Sequence, residues 1–289
     1  MNLRQIRKKI KAVSNVKKIT NAMELVSAIK MKKAQQKAIE GKPYREVLSF
    51  IIHKVIASSY LSLKEEKYSP LLSKSNNLAK KDLIILITSN KGLCGNFNFN
   101  LLRFLIKEFD FKKVDFITIG TKGALFVKKM GGIIIADFSS PHNEDKVSAI
   151  FKTALDLFLK GECAKVFLVY NSFLSPVKFE PTKKIIFPVK VEGQSKFNLE
   201  EKKDYLIEPS PEKIIDSALK NMIELEIYGA LIESEAAEHS ARMMAMKNAA
   251  DNASDVIYNL TLLRNKVRQE KITYELLDMV TAKQSVEVG

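Results

Sequence analysis

The residues best suited to chemistry sit in the heptapeptide NKGLCGN, positions 90–96. A glycine-rich turn between a strand and a helix can cradle phosphate on its backbone N–H groups. This one lacks the Lys–Ser/Thr ending of a phosphate loop, and no G-x-G-x-x-G follows a strand. It reads instead as a strand-to-helix turn whose glycines supply φ > 0. Cys94 within it could act as a nucleophile, but no Cys/His pattern supports that. A small buried hydrophobe is the expected role. Cys163 is the only other cysteine, so neither a disulfide framework nor a zinc site is expected, and a reducing compartment fits. His53, His142 and His239 are scattered without metal-ligand spacing, and His239 reads as a helix-face residue. No catalytic residue, metal or cofactor is therefore expected. The pattern is that of a mechanical or interaction part.

Composition narrows the partners. The chain has 289 residues, 46% hydrophobic content and a formal net charge of +14. That length allows one large domain or two modest ones. The positive balance points to acidic partners and is concentrated at one end. Residues 1–33 hold Arg4, Arg7, Lys8, Lys9, Lys11, Lys17, Lys18, Lys30, Lys32 and Lys33 against Glu24 alone. The N-terminus has no signal-peptide apolar run, and no window approaches the ~20 apolar residues of a membrane span. A soluble chain able to dock on a membrane complex is expected. The short runs 83–88 and 132–138 read as buried strands.

Three zones must position these residues. In the first, 1–57, Leu3, Ile6, Ile10, Val13, Val16, Ile19, Met23 and Val26 recur at steps of three and four, a helical stripe close to a coiled-coil seam. Pro43 predicts a bend near Gly41–Pro43. A linker, 58–79, follows. In the second, 80–195, short Ile/Val-rich runs alternate with helical segments near 97–109, 121–130 and 144–160, predicting an α/β domain with a mainly parallel sheet. Pro181 and Pro188 make the last run an edge strand. After a connector, 196–210, the third zone, 211–289, opens with Ser210 as N-cap, Pro211 at the first helical position and Glu212 in the first turn. Beyond Pro211 there is no proline, and Ile214, Ala218, Leu219, Met222 and Leu225 begin a stripe that Val256, Leu260, Leu263 and Val267 continue. A helix of about 75 residues would be on the order of 110 Å long. The simplest way for both terminal helices to bury their stripes is to pair as a long antiparallel two-helix coiled coil. The segment ARMMAMKNAADNA, 241–253, carries Ala or Met around most of its circumference, which lets helix backbones approach closely.

Three separated motifs resemble one family, the γ subunit of the F-type ATP synthase. They are IRKKIKAVSNVKKITNAMELVSAIKMKKAQ (6–35), SNKGLCGNFNFNL (89–101) and ESEAAEHSARMMAMKNAADNASDVIYNLTLLRNKVRQEKITYELLDMV (233–280). The resemblance covers essentially the whole chain. It implies a central rotor shaft inside a hexamer of α and β subunits, with an ε subunit and a membrane ring of c subunits as further partners. By the same resemblance the nucleotide chemistry lies in β, the coupling ion is the proton, and the chain is peripheral at the cytoplasmic face of a bacterial plasma membrane. Arg242, Gln269 and Thr273 match positions that hydrogen-bond to β loops, with Arg268 beside them. Met23 and Lys18 match positions facing an acidic lever of β. Tyr205 and Glu208 match the foot near the ring. Asn90 and Lys91 stand where the family usually has Asp-Arg. The chain lacks the cysteine-bearing insert of chloroplast relatives, which argues against thiol control.

Two other classes stay open. A basic coiled-coil nucleic-acid binder fits the charge, although the basic arm is poor in stacking aromatics and Trp is absent. A nucleotide-binding α/β enzyme with helical arms is disfavoured by the missing phosphate loop.

Overall fold

The computed structural model describes residues 2–57, 71, 81–139, 146–189 and 211–287. Helix α1 spans Leu3–Ala57 and helix α5 spans Pro211–Glu287. Between them lie β1 (Asp82–Ile87), α2 (Phe97–Glu108), β2 (Val114–Ile119), α3 (Thr121–Lys129), β3 (Ile133–Asp137), α4 (Val147–Leu159), β4 (Val166–Ser175) and β5 (Lys178–Phe187). The chain divides into two compact units, Ala28–Ala241 and Met1–Ser27 with Arg242–Gly289.

In the first unit five strands form one sheet in the order β3-β2-β1-β4-β5. β1 to β4 run parallel, and β5 returns antiparallel on β4. β1 is buried along both faces because helices cover both. Leu83, Ile85 and Ile87 face one core with Ile150, Phe151, Ala154 and Phe158 of α4 and Ile215, Leu219, Ile223 and Ile227 of α5. Ile84 and Leu86 face the other, with Leu101 and Leu105 of α2 and Val127 of α3. The first turns of α5 thus serve as a layer of the α/β fold as well as half of a helix pair.

The edges depart from expectation in instructive ways. β3 is not a buried strand: Ile133 is 55% and Ile135 43% exposed. Phe116 pairs with Ile134 and Ile117 with Ala136, leaving Ile135 as an unpaired bulge. The bulge sends Ile134 to one core and Ala136 to the other, and a bulged edge resists pairing with a further strand. At the other edge, β5 begins earlier than the apolar run suggests, so Pro181 lies inside it, opposite Asn171. An edge strand tolerates the missing donor. Lys183 of β5 pairs with Glu108 at 2.7 Å and lies over the rings of Phe109 and Phe167.

The terminal helices pack together antiparallel. Near the far end of α1, Ile52 shares a core with Ile215 and Leu219; eighteen residues earlier, Ala34 meets Ile232 and Ala236. α1 runs through Gly41 and Pro43 as one continuous helix, so the proline does not end it. Up to Ala34 its buried positions are spaced by multiples of seven: Ile6, then Thr20, Ser27 and Ala34. That seam is smaller and more polar than the expected stripe. The Thr20 and Ser27 hydroxyls donate to the Lys17 and Met23 carbonyls at 3.0 and 2.7 Å, which keeps them satisfied without a partner across the seam. Val16, Ile19 and Val26, counted in the stripe, are instead 52–59% exposed.

Cys163 is buried in the core under β4. Burial first, then the nearby carboxylates of Asp82, Glu162 and Asp115, push its thiol up from 9.0 to about 11. Because the folded value lies above the unfolded one, its contribution to stability is complete below about pH 9 and is lost as pH rises through about 11. Urea unfolding of the full chain at rising pH is expected to show a steeper alkaline decline than the Cys163→Ala variant shows. Parallel curves would refute the assignment.

Candidate functional site

Two arrangements bear on function: the turn after β1, and the surfaces of α1 and α5.

The turn 88–96 lies where a doubly wound sheet commonly binds ligand, beyond the carboxyl ends of its central strands. Here its polar groups close on the protein itself. The Asn98 side chain clamps it, accepting from the Ser89 N–H at 3.2 Å and donating to Ser89 Oγ at 2.7 Å and Cys94 Sγ at 3.3 Å. Ser89 Oγ in turn donates to the Lys91 carbonyl at 2.8 Å. Asn90 Oδ1 accepts from both the N–H and the Oγ of Thr121 at 3.1 Å. It therefore caps α3, whose preceding residue, Gly120, has no side chain. Asparagine does by neutral hydrogen bonds what the position requires here. Gly95 has φ +55, as a turn glycine should, but the second left-handed residue is Leu93 at φ +62 rather than Gly92. That strained leucine is 64% exposed.

The crevice beyond β1 and β4 is filled by the chain itself. Cys94 and Phe97 pack with Ala237 and Ala241 of α5, and with Phe173 and Phe179 of the β4–β5 hairpin. Cys94 is thus a small buried hydrophobe. On an adjacent face of α5, Ala236 meets Ala34 of α1. α5 is small on several sides because it is wedged between α1 and the α/β fold. Asn171, fully buried on β4, donates to the Phe97 carbonyl at 3.0 Å and ties the start of α2 to the sheet. One turn of α5 also brings His239 Nε2 to 3.6 Å from Glu235 Oε1. Its hydrogen bond holds the Glu235 carboxyl below the usual range, burial opposes it, and Lys37 and Lys30 of α1 assist.

The second unit carries most of the residues singled out by resemblance. Arg242 is buried, at 8% exposure, and Met23 is half-buried. Lys18, Arg268, Gln269 and Thr273 are exposed. Gln269 and Thr273 are one turn apart, and the Thr273 hydroxyl donates to the Gln269 carbonyl at 3.0 Å. Its donor is therefore engaged within the helix, leaving lone pairs outward. Tyr205 and Glu208 lie outside the described residues, as do Ser210, His142, the connector 196–210 and, apart from Leu71, the linker 58–79. Sequence reasoning missed an exposed apolar surface. Val16, Ile19, Leu25 and Val26 of α1 are 52–66% exposed, and Tyr258, Leu262, Ile272, Leu276, Leu277 and Met279 of α5 are 47–69% exposed. The signal was present: these apolar side chains fall out of phase with the seven-residue seam. Among the described residues no helix is long and apolar enough to cross a membrane, and no three His, Cys, Asp or Glu side chains gather as metal ligands.

A family model described as ATP synthase matches residues 2–286. The chain is 35% identical to the ATP synthase gamma chain of Thiobacillus denitrificans over 98% of this chain and 99% of that one. It is 38% identical to that of Dechloromonas aromatica over the same shares. A chain in the Euglena gracilis mitochondrial ATP synthase assembly of OSCP, F1 and c-ring superposes with a TM-score of 0.67 at 18% identity, covering 99% of this chain and 95% of that one. The fold is thus shared with a chain of that assembly, and the sequence match runs nearly end to end: the chain belongs to the ATP synthase gamma-chain family.

Proposed function

We propose that this chain is the central shaft of a proton-translocating F-type ATP synthase, turning as one piece and doing no nucleotide chemistry itself. The observation that carries the reading is the exposed apolar belt on α1 and α5. Surface this apolar on a soluble helix marks an interaction site, and on this family's scaffold it suits a sleeve of α and β subunits. Met23, Lys18, Arg242, Arg268, Gln269 and Thr273 would meet that hexamer. The α/β fold, 80–195, would serve as the foot, with Tyr205 and Glu208 toward the c-ring and the ε subunit beside it. Helices 1–57 and 211–289, joined through 58–79 and 196–210, would be the axle. The site of work would be the cytoplasmic face of a bacterial plasma membrane. Rotation of an asymmetric axle biases each β subunit among its conformations through differential contacts. The nucleic-acid alternative gains no support from the relatives.

Co-purification with α and β subunits from the same source tests this. One copy per hexamer is expected, with steady ATPase activity requiring it. A chain that ignores the hexamer and instead holds nucleic acid with steep salt dependence would overturn the reading.

A further inference from the structure

A rotor must pass torque between its foot and its axle, and the chemistry of that joint is visible within the Ala28–Ala241 unit. We propose, on the rotor reading above, that one face of α5 made by Glu226, Glu233, Ala237 and Ser240 is the torque-bearing seam between the α/β fold and the shaft. These positions step by seven, four and three, which keeps them on one side of a helix. Each grips a different part of the fold. Glu226 pairs with Lys184 of β5. Glu233 accepts from the Ser172 hydroxyl of β4 at 3.1 Å. Ala237 packs against Cys94 and Phe97 at the turn after β1. Ser240 donates to the Pro176 carbonyl at the β4–β5 turn.

The arrangement suits load rather than stability alone. The grips are spread over roughly 21 Å of helix at 1.5 Å per residue, so they resist rotation and tilting together. Alanine at 237 brings the backbones close, and the polar contacts on either side fix the axial register that apolar packing leaves free. The receiving side is braced in turn: Asn98 clamps the turn and Asn171 ties Phe97 to β4. The contacts of α5 with α1 run through other side chains, Ala236 and Ile232, so the polar grips can be replaced without substituting a residue of the helix pair.

The test uses the holoenzyme in sealed membrane vesicles, with ATP hydrolysis and ATP-driven proton pumping measured on the same sample. The Glu226→Ala/Glu233→Ala/Ser240→Ala variant removes the polar grips and leaves Ala237 in place. Hydrolysis by the assembled complex is expected to continue, while protons pumped per ATP fall by about threefold, the scale of coupling changes along a packed network. Glu233→Gln, which keeps an acceptor for Ser172, is expected to stay at the wild-type ratio. A merely structural seam would lower thermal stability or yield of complex without moving that ratio, and an unchanged ratio overturns the inference. If the triple variant does not assemble, Glu233→Ala against Glu233→Gln decides: equal ratios overturn it. Failure of the wild-type chain to restore pumping to complexes lacking it would instead remove the rotor reading on which the seam rests.

Discussion

Gly120→Ala is expected to destabilise the full chain by about 4 kcal/mol, from backbone strain and overpacking added together. Gly120 sits between β2 and α3 at φ +104, ψ 127. A Cβ there would lie 2.1 Å from the Thr88 carbonyl oxygen and 2.6 Å from Thr88 Oγ1. Thr88 cannot retreat. Its N–H donates to the Ile119 carbonyl at 2.7 Å, and its Oγ bonds the Gly120 carbonyl at 3.0 Å and the Gly123 N–H at 2.9 Å. The obstruction is backbone, held by the bonds that join the ends of β1 and β2. At roughly 2–4 °C per kcal/mol, Tm should fall by on the order of 10 °C. Two other glycines calibrate the result. Gly131 has φ +75 but open space around its missing Cβ, so alanine should cost about 1 kcal/mol. At Gly92 φ is not positive and an added Cβ would meet nothing within 4 Å, so alanine should be within about 0.5 kcal/mol of wild type. Thermal and urea unfolding of the three variants would check the series. A Gly120→Ala chain as stable as Gly92→Ala would show that the two strand ends are not locked as described.

The largest expected effect on turnover is at Arg242. If it meets a β loop as proposed, Arg242→Ala should lower steady ATPase activity of the reconstituted complex by about 30-fold or more. That is the low end of what removing one member of a buried, hydrogen-bonded charge pair costs. The basis is its setting: at 8% exposure Arg242 is largely removed from water, where a charge-assisted contact to a partner is stronger than at an exposed site. Arg268, exposed on the same helix, should matter far less. An exposed ion pair is worth about 0–1 kcal/mol, so Arg268→Ala should change the rate by about fivefold at most. Arg242→Lys separates fork geometry from charge, since a point charge cannot reproduce several donors in one plane. It should remain close to the alanine variant. Wild-type rates from Arg242→Lys would leave only charge to explain the position, and equal losses at Arg242 and Arg268 would remove burial as the cause. Rates must be taken per assembled complex, so that lost assembly is not read as lost turnover.

Much of this molecule is written locally. The Ile/Val runs and the helical segments between them point to four parallel strands and three helices, because β1 and the start of β4, Val166–Val169, are buried on both faces and are apolar there. Absence of proline after Pro211, and of any glycine but Gly229 before the last residue, leaves one uninterrupted helix. The family membership was legible too, since three motifs in order are far more specific than any one. What sequence could not supply is phase and partner. Val16 and Ile19 satisfy a heptad count as well as Thr20 and Ser27 do, and only packing reveals that the closely approaching helices take the small residues inward and leave the large ones out. Nor could it place Ala237 and Ala241 in the crevice beyond β1 and β4, the bulge at Ile135, or the Asn90 cap on α3. Each joins positions more than about 15 residues apart, where no local period constrains the pairing and only the closed fold decides which surfaces meet.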